Sequence, residues 1–346
     1  MAAEQDYQVR EFRSGDEGRW DSFVEGCEGG TFFHLSGWKR IIENCLGHPT
    51  HYLCCERDGQ IVAVLPLANV KSWLFGNALI SIPFLVYGGV LSIDSRAEQI
   101  IVDAACDIAR QTRVDHLELR NRTASGRDWP IKDCYVTFSK QLDPDPEKNL
   151  LEIPRKQRAM IRKGIKAGLK SEMDRDADRL YAALLACKRN LGTPFFARQY
   201  LQYICDIFGD KVEILTVTKD ESVVCSVMSF RFRNEILPYY GGGGDVARDL
   251  KGNDFMYWAV MEKACKEGVE IFDYGRSMIG SGAYRFKKHW GFEPIPLAYE
   301  YYLVEKDETP NLNPANPKYK LLIDMWKRLP LTVAGRLGPP IARRLG

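Results

Sequence analysis

Hydrophobic and polar positions along the chain fall into two successive sets that run in the same order. In the first, His51–Glu56 and Gln60–Val70 read as strands around the turn Arg57-Asp58-Gly59, which predicts a hairpin. The apolar run Leu79–Val86 reads as a third strand and ends in Tyr87-Gly88-Gly89. Ile100, Ile101, Ala104, Ala105 and Ile108 then recur at helical spacing, predicting a helix over Ser95–Arg113, and Val114–Leu119 reads as a strand. The second set places strands at Val212–Thr218 and Ser222–Arg233 around Lys219-Asp220-Glu221. A strand at Glu235–Tyr240 runs into Gly241–Gly244, a helix follows over Asn253–Glu267, and Val269–Tyr274 closes the set. Hairpin, strand, glycine-rich break, helix, strand: the shared order and the Tyr-Gly-Gly at both strand ends point to an internal duplication. Mixed α/β chains also run in this order without one.

Composition narrows the class. The 346 residues are 45% hydrophobic and 27% charged, which excludes a disordered or low-complexity chain and leaves room for two domains. Asp143-Pro144-Asp145-Pro146 marks a boundary and Thr309–Pro317 a second one, giving expected domains at 1–149 and 150–304 and a tail at 305–346. Lys and Arg number 48 against 46 Asp and Glu, so a polyanion has only local patches to meet. The ten cysteines lack zinc or redox spacing. Cys54 and Cys55, neighbours in a strand, point to opposite faces, and a metal site is not expected. The polar, acid-bearing start is no signal peptide, and no apolar run reaches the roughly 18 residues of a membrane span, so the expected location is cytoplasmic.

Five segments carry candidate chemistry. Arg155–Lys170 gathers seven cations, Arg155, Arg158 and Arg162 among them, without an acid, around an apolar stripe of Ile161, Ile165 and Leu169. Such a surface suits a pyrophosphate or an RNA backbone, and equally a solvated helix packed by its stripe. Tyr240 and the glycines after it, with Arg248 and a helix starting at Asn253, offer backbone approach and free amides to an anionic group. GNAT acetyltransferases hold a coenzyme A pyrophosphate at such a place, but Arg248–Asn253 keeps only the ends of their basic and glycine pattern. Asp273-Tyr274-Gly275-Arg276 ends a strand ahead of Tyr284-Arg285-Phe286-Lys287-Lys288-His289, where Lys287 and Lys288 are placed to stabilise an oxyanion or a phosphate. Trp38 and Lys39, after Phe32 and Phe33, form a ligand wall or begin an amphipathic helix. The tail from Asn316 to Gly346 alternates cations with Leu321, Leu322, Met325 and Trp326. That pattern fits an anionic membrane surface, or packing of Tyr319–Leu329 back on the protein.

Taken in order along the chain, Lys39, the basic segment from Arg155, Tyr240-Gly241-Gly242 with Arg248, Asp273-Tyr274-Gly275 and Phe286-Lys287 before Trp290-Gly291 resemble the FemAB-like family over roughly residues 30–300. The tail, with Asn313–Tyr319 and Trp326–Leu331, looks like a subgroup associated with exosortase and exopolysaccharide systems. The resemblance implies an α/β fold of two tandem GNAT-like domains, each a mixed, mostly antiparallel sheet flanked by helices. It implies an acyltransferase acting on an anionic cell-envelope or exopolysaccharide precursor, small or lipid-linked, with aminoacyl-tRNA or acyl-CoA as co-substrate and no tightly bound cofactor. By the same resemblance Lys287, with Tyr284, lies at the acyl-transfer site. Lys39 and Arg248 bind acceptor phosphates, and Trp38, Tyr240, Asp273, Arg276 and Lys288 line the substrate. The chain departs from the family's ligases in lacking a long helical arm in its second half. Two other readings stay open: an acyl-CoA-dependent N-acetyltransferase of a sugar amine, and a non-catalytic membrane-surface binder of a lipid- or nucleotide-linked sugar.

Overall fold

The computed structural model describes residues 7–72, 76–310 and 317–345. From the amino terminus, β1 (Tyr7–Glu11), α1 (Glu17–Gly26), α2 (Gly37–Ile41), β2 (Thr50–Arg57), β3 (Gln60–Ser72), β4 (Gly76–Ser81) and β5 (Leu91–Ser92) lead to α3 (Ser95–Gln111), β6 (His116–Asn121) and β7 (Ile131–Lys132). Then come β8 (Tyr135–Thr137), β9 (Ser139–Gln141), α4 (Pro146–Glu152), α5 (Arg155–Lys166), β10 (Lys170–Asp174), α6 (Asp178–Leu191) and α7 (Arg198–Phe208). β11 (Val212–Lys219), β12 (Ser222–Phe232), β13 (Glu235–Gly243), α8 (Asp245–Asp249), α9 (Gly252–Lys266) and β14 (Ile271–Asp273) follow. The chain ends in β15 (Ser277–Met278), α10 (Gly282–His289), β16 (Ile295–Pro296), β17 (Ala298–Leu303), α11 (Pro317–Lys327) and α12 (Leu331–Ala342).

Two compact units result. One holds the described residues within 1–133, 296–312 and 343–346, the other those within 134–295 and 313–342. This division differs from the expected breaks at 149/150 and 304/305, and strand pairing gives the reason. β17 lies antiparallel to β6 in the first sheet, with Tyr301 opposite Glu118. β9 lies antiparallel to β14 in the second, with Phe272 opposite Lys140. Asp143-Pro144-Asp145-Pro146 is no linker: Asp145 accepts a hydrogen bond from the Glu147 amide at 3.0 Å and Pro146 fills the first turn, capping α4. Of the tail, α11 and α12 belong with the second unit, where both pack on α6, while Arg343 onward belongs with the first.

The two sheets repeat one topology. The first runs β1-β2-β3-β4-β6-β17-β7 and the second β10-β11-β12-β13-β14-β9. In each, the first four strands are antiparallel neighbours. The fourth and fifth are parallel, β4 with β6 and β13 with β14, and a helix crosses between them. That helix is α3 in the first unit. Its Ile101, Ala105 and Ala109 recur at a four-residue spacing and pack on Leu53, Leu65, Leu79 and Leu117, and Asp94 caps it by accepting from the Ala97 amide at 2.7 Å. In the second unit α9 does the same, with Met256, Val260 and Ala264 against Val217, Val227, Ile236 and Phe272.

Two local expectations change. Leu79–Val86 stays in the sheet only to Ser81; Pro83 supplies no amide and Ile82, Phe84 and Tyr87 take positive φ, so the chain leaves the sheet before Tyr87-Gly88-Gly89. Gly241–Gly243, expected as a break, continue β13 opposite Val227, Ser226 and Cys225. The two Tyr-Gly-Gly runs are therefore not equivalent, although the topologies are. The β13 glycines are needed for close approach: a Cβ on Gly242 would stand 2.8 Å from the Cys187 sulfur of α6, and one on Gly243 2.7 Å from the Val224 carbonyl.

Candidate active site

The parallel pairing of β13 with β14 lasts only for Glu235 opposite Ile271 and Ile236 opposite Phe272. Beyond that point β13 continues to Gly243, β14 ends at Asp273, and the two strands part. Carboxyl ends of parallel strands that separate leave a crevice of the kind α/β folds use for ligands. Tyr257 of α9 sits beside this opening. Its hydroxyl would meet a Cβ on Gly241 at 3.1 Å, and its ring lies 4.9 Å from that of Tyr274.

The segment after β14 turns back through α10, and here the sequence-predicted residues gather. Ser281 caps α10 by accepting from the Tyr284 amide at 3.1 Å, which fixes the helix start and sends Lys287 inward. Lys287 is buried. Its Nζ donates to the carbonyls of Gly275 at 2.8 Å and Arg276 at 3.2 Å, and faces the Phe138 ring at 5.6 Å. Burial drives its pKa down to about 7; Asp273 opposes the shift and the Arg276 charge adds to it. Asp273 is wholly buried and accepts from the Thr137 hydroxyl at 3.2 Å and the Gly275 amide at 2.6 Å, so it holds the turn that presents both carbonyls to Lys287. Tyr284 packs edge-on against Phe138, Arg276 lies 4.4 Å over the Tyr135 ring, and exposed Lys288 stands 6.0 Å from the Tyr284 ring.

Other candidates lie apart from this cluster. Tyr240 is buried on the α7 side of β13, its hydroxyl 2.8 Å from that of Tyr200. Arg248 extends from α8 into solvent, 76% exposed, with Asp245 at 3.3 Å. In α5 the inward stripe is Gln157, Ile161 and Gly164, at true helical period, and Ile165 is 55% exposed rather than packed. Arg155 and Arg162 face solvent; Arg158 is half-buried and its Nε has no partner among the described residues. In the first unit Lys39 pairs with Glu43, which also accepts from the Thr50 hydroxyl. Trp38 is fully buried and donates its indole N–H to the Phe32 carbonyl at 3.1 Å, so it supports α2 from inside and offers no face to a ligand.

Two further polar groups, one of them on Tyr274 of the Asp273-Tyr274-Gly275 segment, stand out by their surroundings. The Tyr274 hydroxyl is buried with no hydrogen-bond partner among the described residues, ringed by Tyr257, Phe272, Trp290 and Phe292, and burial raises its pKa well above the ordinary value. A buried hydroxyl left unpaired costs roughly 1–3 kcal/mol and marks a place where a ligand atom or water is wanted. Lys188 of α6 is the second. Lys188 is half-buried; partial burial lowers its pKa, and its Nζ lies 5.9 Å from the Phe195 ring and has no acceptor among the described residues. Phe195 in turn packs on Tyr240. The signal was present in the sequence: Lys188 continues the buried stripe of Leu180 and Leu184 at four-residue spacing.

A family model described as an acetyltransferase (GNAT) domain matches residues 155–288, from the start of α5 through Lys288. With the repeated sheet topology, this makes the chain a tandem GNAT-fold protein. FemX, of the FemAB family, matches it with a TM-score of 0.67 at 15% identity, over 91% of this chain and 100% of that one. The C-terminal domain of a putative lysylphosphatidylglycerol synthetase from Agrobacterium fabrum matches at 0.55 and 14%, over 82% and 91%. A tandem GNAT protein from the clavulanic acid biosynthesis pathway matches at 0.53 and 12%, over 86% and 98%. No curated protein matches the sequence.

Proposed function

We propose that the protein is an acyltransferase of the FemAB type, which moves an acyl or aminoacyl group from an activated ester or thioester to an amine. The observation that carries this reading is Lys287, a buried lysine with a pKa near 7, held by two carbonyls at the point where the parallel strands part. The acceptor nitrogen attacks the acyl carbonyl, and the charge that develops on the carbonyl oxygen is stabilised by the Lys287 ammonium. The adduct collapses with cleavage of the C–O or C–S bond. The leaving alkoxide or thiolate takes a proton from Lys287, the product nitrogen releases one to water, and Lys287 is recharged from solvent. A pKa near 7 suits both halves of this exchange. Tyr274, its ring 6.0 Å from the Lys287 ammonium, and Tyr284, packed on Phe138, border the same place.

The acceptor class is an anionic precursor of the cell envelope or of an exopolysaccharide, and the donor is aminoacyl-tRNA or an acyl-CoA, used as co-substrate. Support comes from the cations without acids along α5, which suit a donor phosphate chain. Untargeted mass spectrometry of bacterial extract incubated with the protein and a mixture of aminoacyl-tRNAs and acyl-CoAs tests the reading. A product heavier by one acyl group is expected with the native protein. With Lys287→Met its rate of formation should fall by about 10²–10³-fold, the usual loss when an oxyanion donor is removed. An equal rate would remove Lys287 from the chemistry.

One observation favours a membrane-surface placement of this work. No helix of the described residues is long and apolar enough to cross a membrane. α11, however, turns Ile323 and Trp326 inward and leaves Leu321, Leu322 and Met325 between 57% and 69% exposed, beside exposed Lys320, Lys327 and Arg328. An apolar strip with cationic flanks fits the surface of an anionic bilayer, and a lipid-linked acceptor would be met there.

A further inference from the structure

Away from the acyl-transfer residues, the first unit contains a cleft of about 340 Å³ between the turn that follows α2 and the end of β3. Its floor is Leu46–Pro49 and Asn69, and its charged wall is Lys71 with Arg343 and Arg344. The two arginines are brought there by the C-terminal segment, which returns to the first unit; His48 Nε2 donates to the Arg343 carbonyl at 2.5 Å and pins it. His48 itself stacks on Phe84 at 5.5 Å. Burial lowers the His48 pKa, and the charges of Arg343 and Arg344 act in the same direction, so the imidazole adds a hydrogen bond to the cleft and no further positive charge near neutrality.

Three cations therefore line one cleft that has no carboxylate in its wall, and among the described residues none of the three has an ion-pair partner. Like charges collected in this way repel one another unless an anion lies between them. Two guanidinium forks and an ammonium exceed what a single carboxylate needs, and they match the several oxygens and the double charge of a phosphate. The opening is large enough for a diphosphate. We infer that this cleft is a binding site for a phosphate or diphosphate group, separate from the acyl-transfer site and assembled only when the C-terminal segment is docked. Val70, Ala78 and Ile80 pack with Phe84 next to it, so the phosphate can belong to a lipid headgroup as well as to a soluble molecule.

Titration calorimetry of the full chain with inorganic pyrophosphate at low salt tests the site. Saturable binding is expected, weakened at least tenfold in the Arg343→Ala/Arg344→Ala double variant and several-fold in Lys71→Ala. All three positions are exposed, so unchanged melting temperatures are expected alongside. Absence of saturable binding, or one affinity shared by the native protein and both variants, would overturn the inference. Sedimentation with phosphatidylglycerol vesicles identifies the source of the phosphate. Vesicle binding that pyrophosphate displaces and the double variant loses, with none to phosphatidylcholine, assigns a lipid headgroup. Vesicle binding indifferent to both, with the calorimetric differences retained, assigns a soluble phosphate.

Discussion

Replacing Lys287 by Met should alter the pH dependence of stability in a defined direction. The lysine has its pKa lowered from 10.5 to about 7 in the folded protein, because burial disfavours its charged form. Between these values the unfolded chain holds a proton that the folded chain has released, so this group makes stability rise with pH. At about 1.4 kcal/mol per unit, two units of the window fall between pH 7 and pH 9. The native protein should therefore gain about 2–3 kcal/mol from this residue between pH 6 and pH 9. Met fills a similar volume without a charge and abolishes that gain. It also leaves the carbonyls of Gly275 and Arg276 without their donor, at a cost of roughly 1–3 kcal/mol each that does not vary with pH. The variant should thus compare worst with the native protein at pH 9 and best at pH 6. Urea unfolding at both pH values, followed by tryptophan fluorescence, gives the difference. If the gap between the two proteins is the same at pH 6 and pH 9, Lys287 is not held neutral and the assignment of its environment fails.

Two further outcomes test separate parts of the structure. Lys188→Met should raise the urea midpoint of the second unit, because a partly desolvated ammonium without an acceptor among the described residues is replaced by an uncharged side chain of like volume; a lowered midpoint would mean that the ammonium is paired in solution. Glu300→Ala should destabilise the first unit by about 3 kcal/mol or more, since Glu300 is wholly buried and accepts from the Ser125 amide, the Ser125 hydroxyl and the Asn121 side chain; hydrogen exchange should rise first in β17 and β6, and unchanged protection there would refute the role.

Much of the architecture could be read from periodicity. The β2–β3 and β11–β12 hairpins and the helices α3 and α9 lie within a few residues of the expected spans, because a four-residue apolar repeat such as Ile101, Ala105, Ala109 has one way to be buried. What local pattern does not encode is which distant strand completes a sheet. β9 and β17 are short, and nothing in Ser139–Gln141 or Ala298–Leu303 names its neighbour. The glycines of β13 depart from the expected break for a related reason. Glycine usually marks a break, and here the tertiary contact with Cys187 and the Val224 carbonyl decides. Of the residues expected at the site, Asp273, Arg276, Tyr284 and Lys287 lie close together because they fall in one segment. The isolation of Lys188 and of the Tyr274 hydroxyl depends on what surrounds them in space.

The pairing of β17 with β6 also constrains how the chain comes to be folded. As synthesis proceeds from the amino terminus, strands β1 to β6 emerge with their hairpins and helix, yet the edge of β6 stays open until Ala298–Leu303 leaves the ribosome, more than 170 residues later. The second sheet faces no such delay, since β9 is made before the strand it joins. The sheet begun first is thus the sheet completed last, and a nascent chain carries an unpaired strand edge for most of its elongation. Truncation after the second unit's α10 would leave that edge permanently bare and should send the product into aggregates.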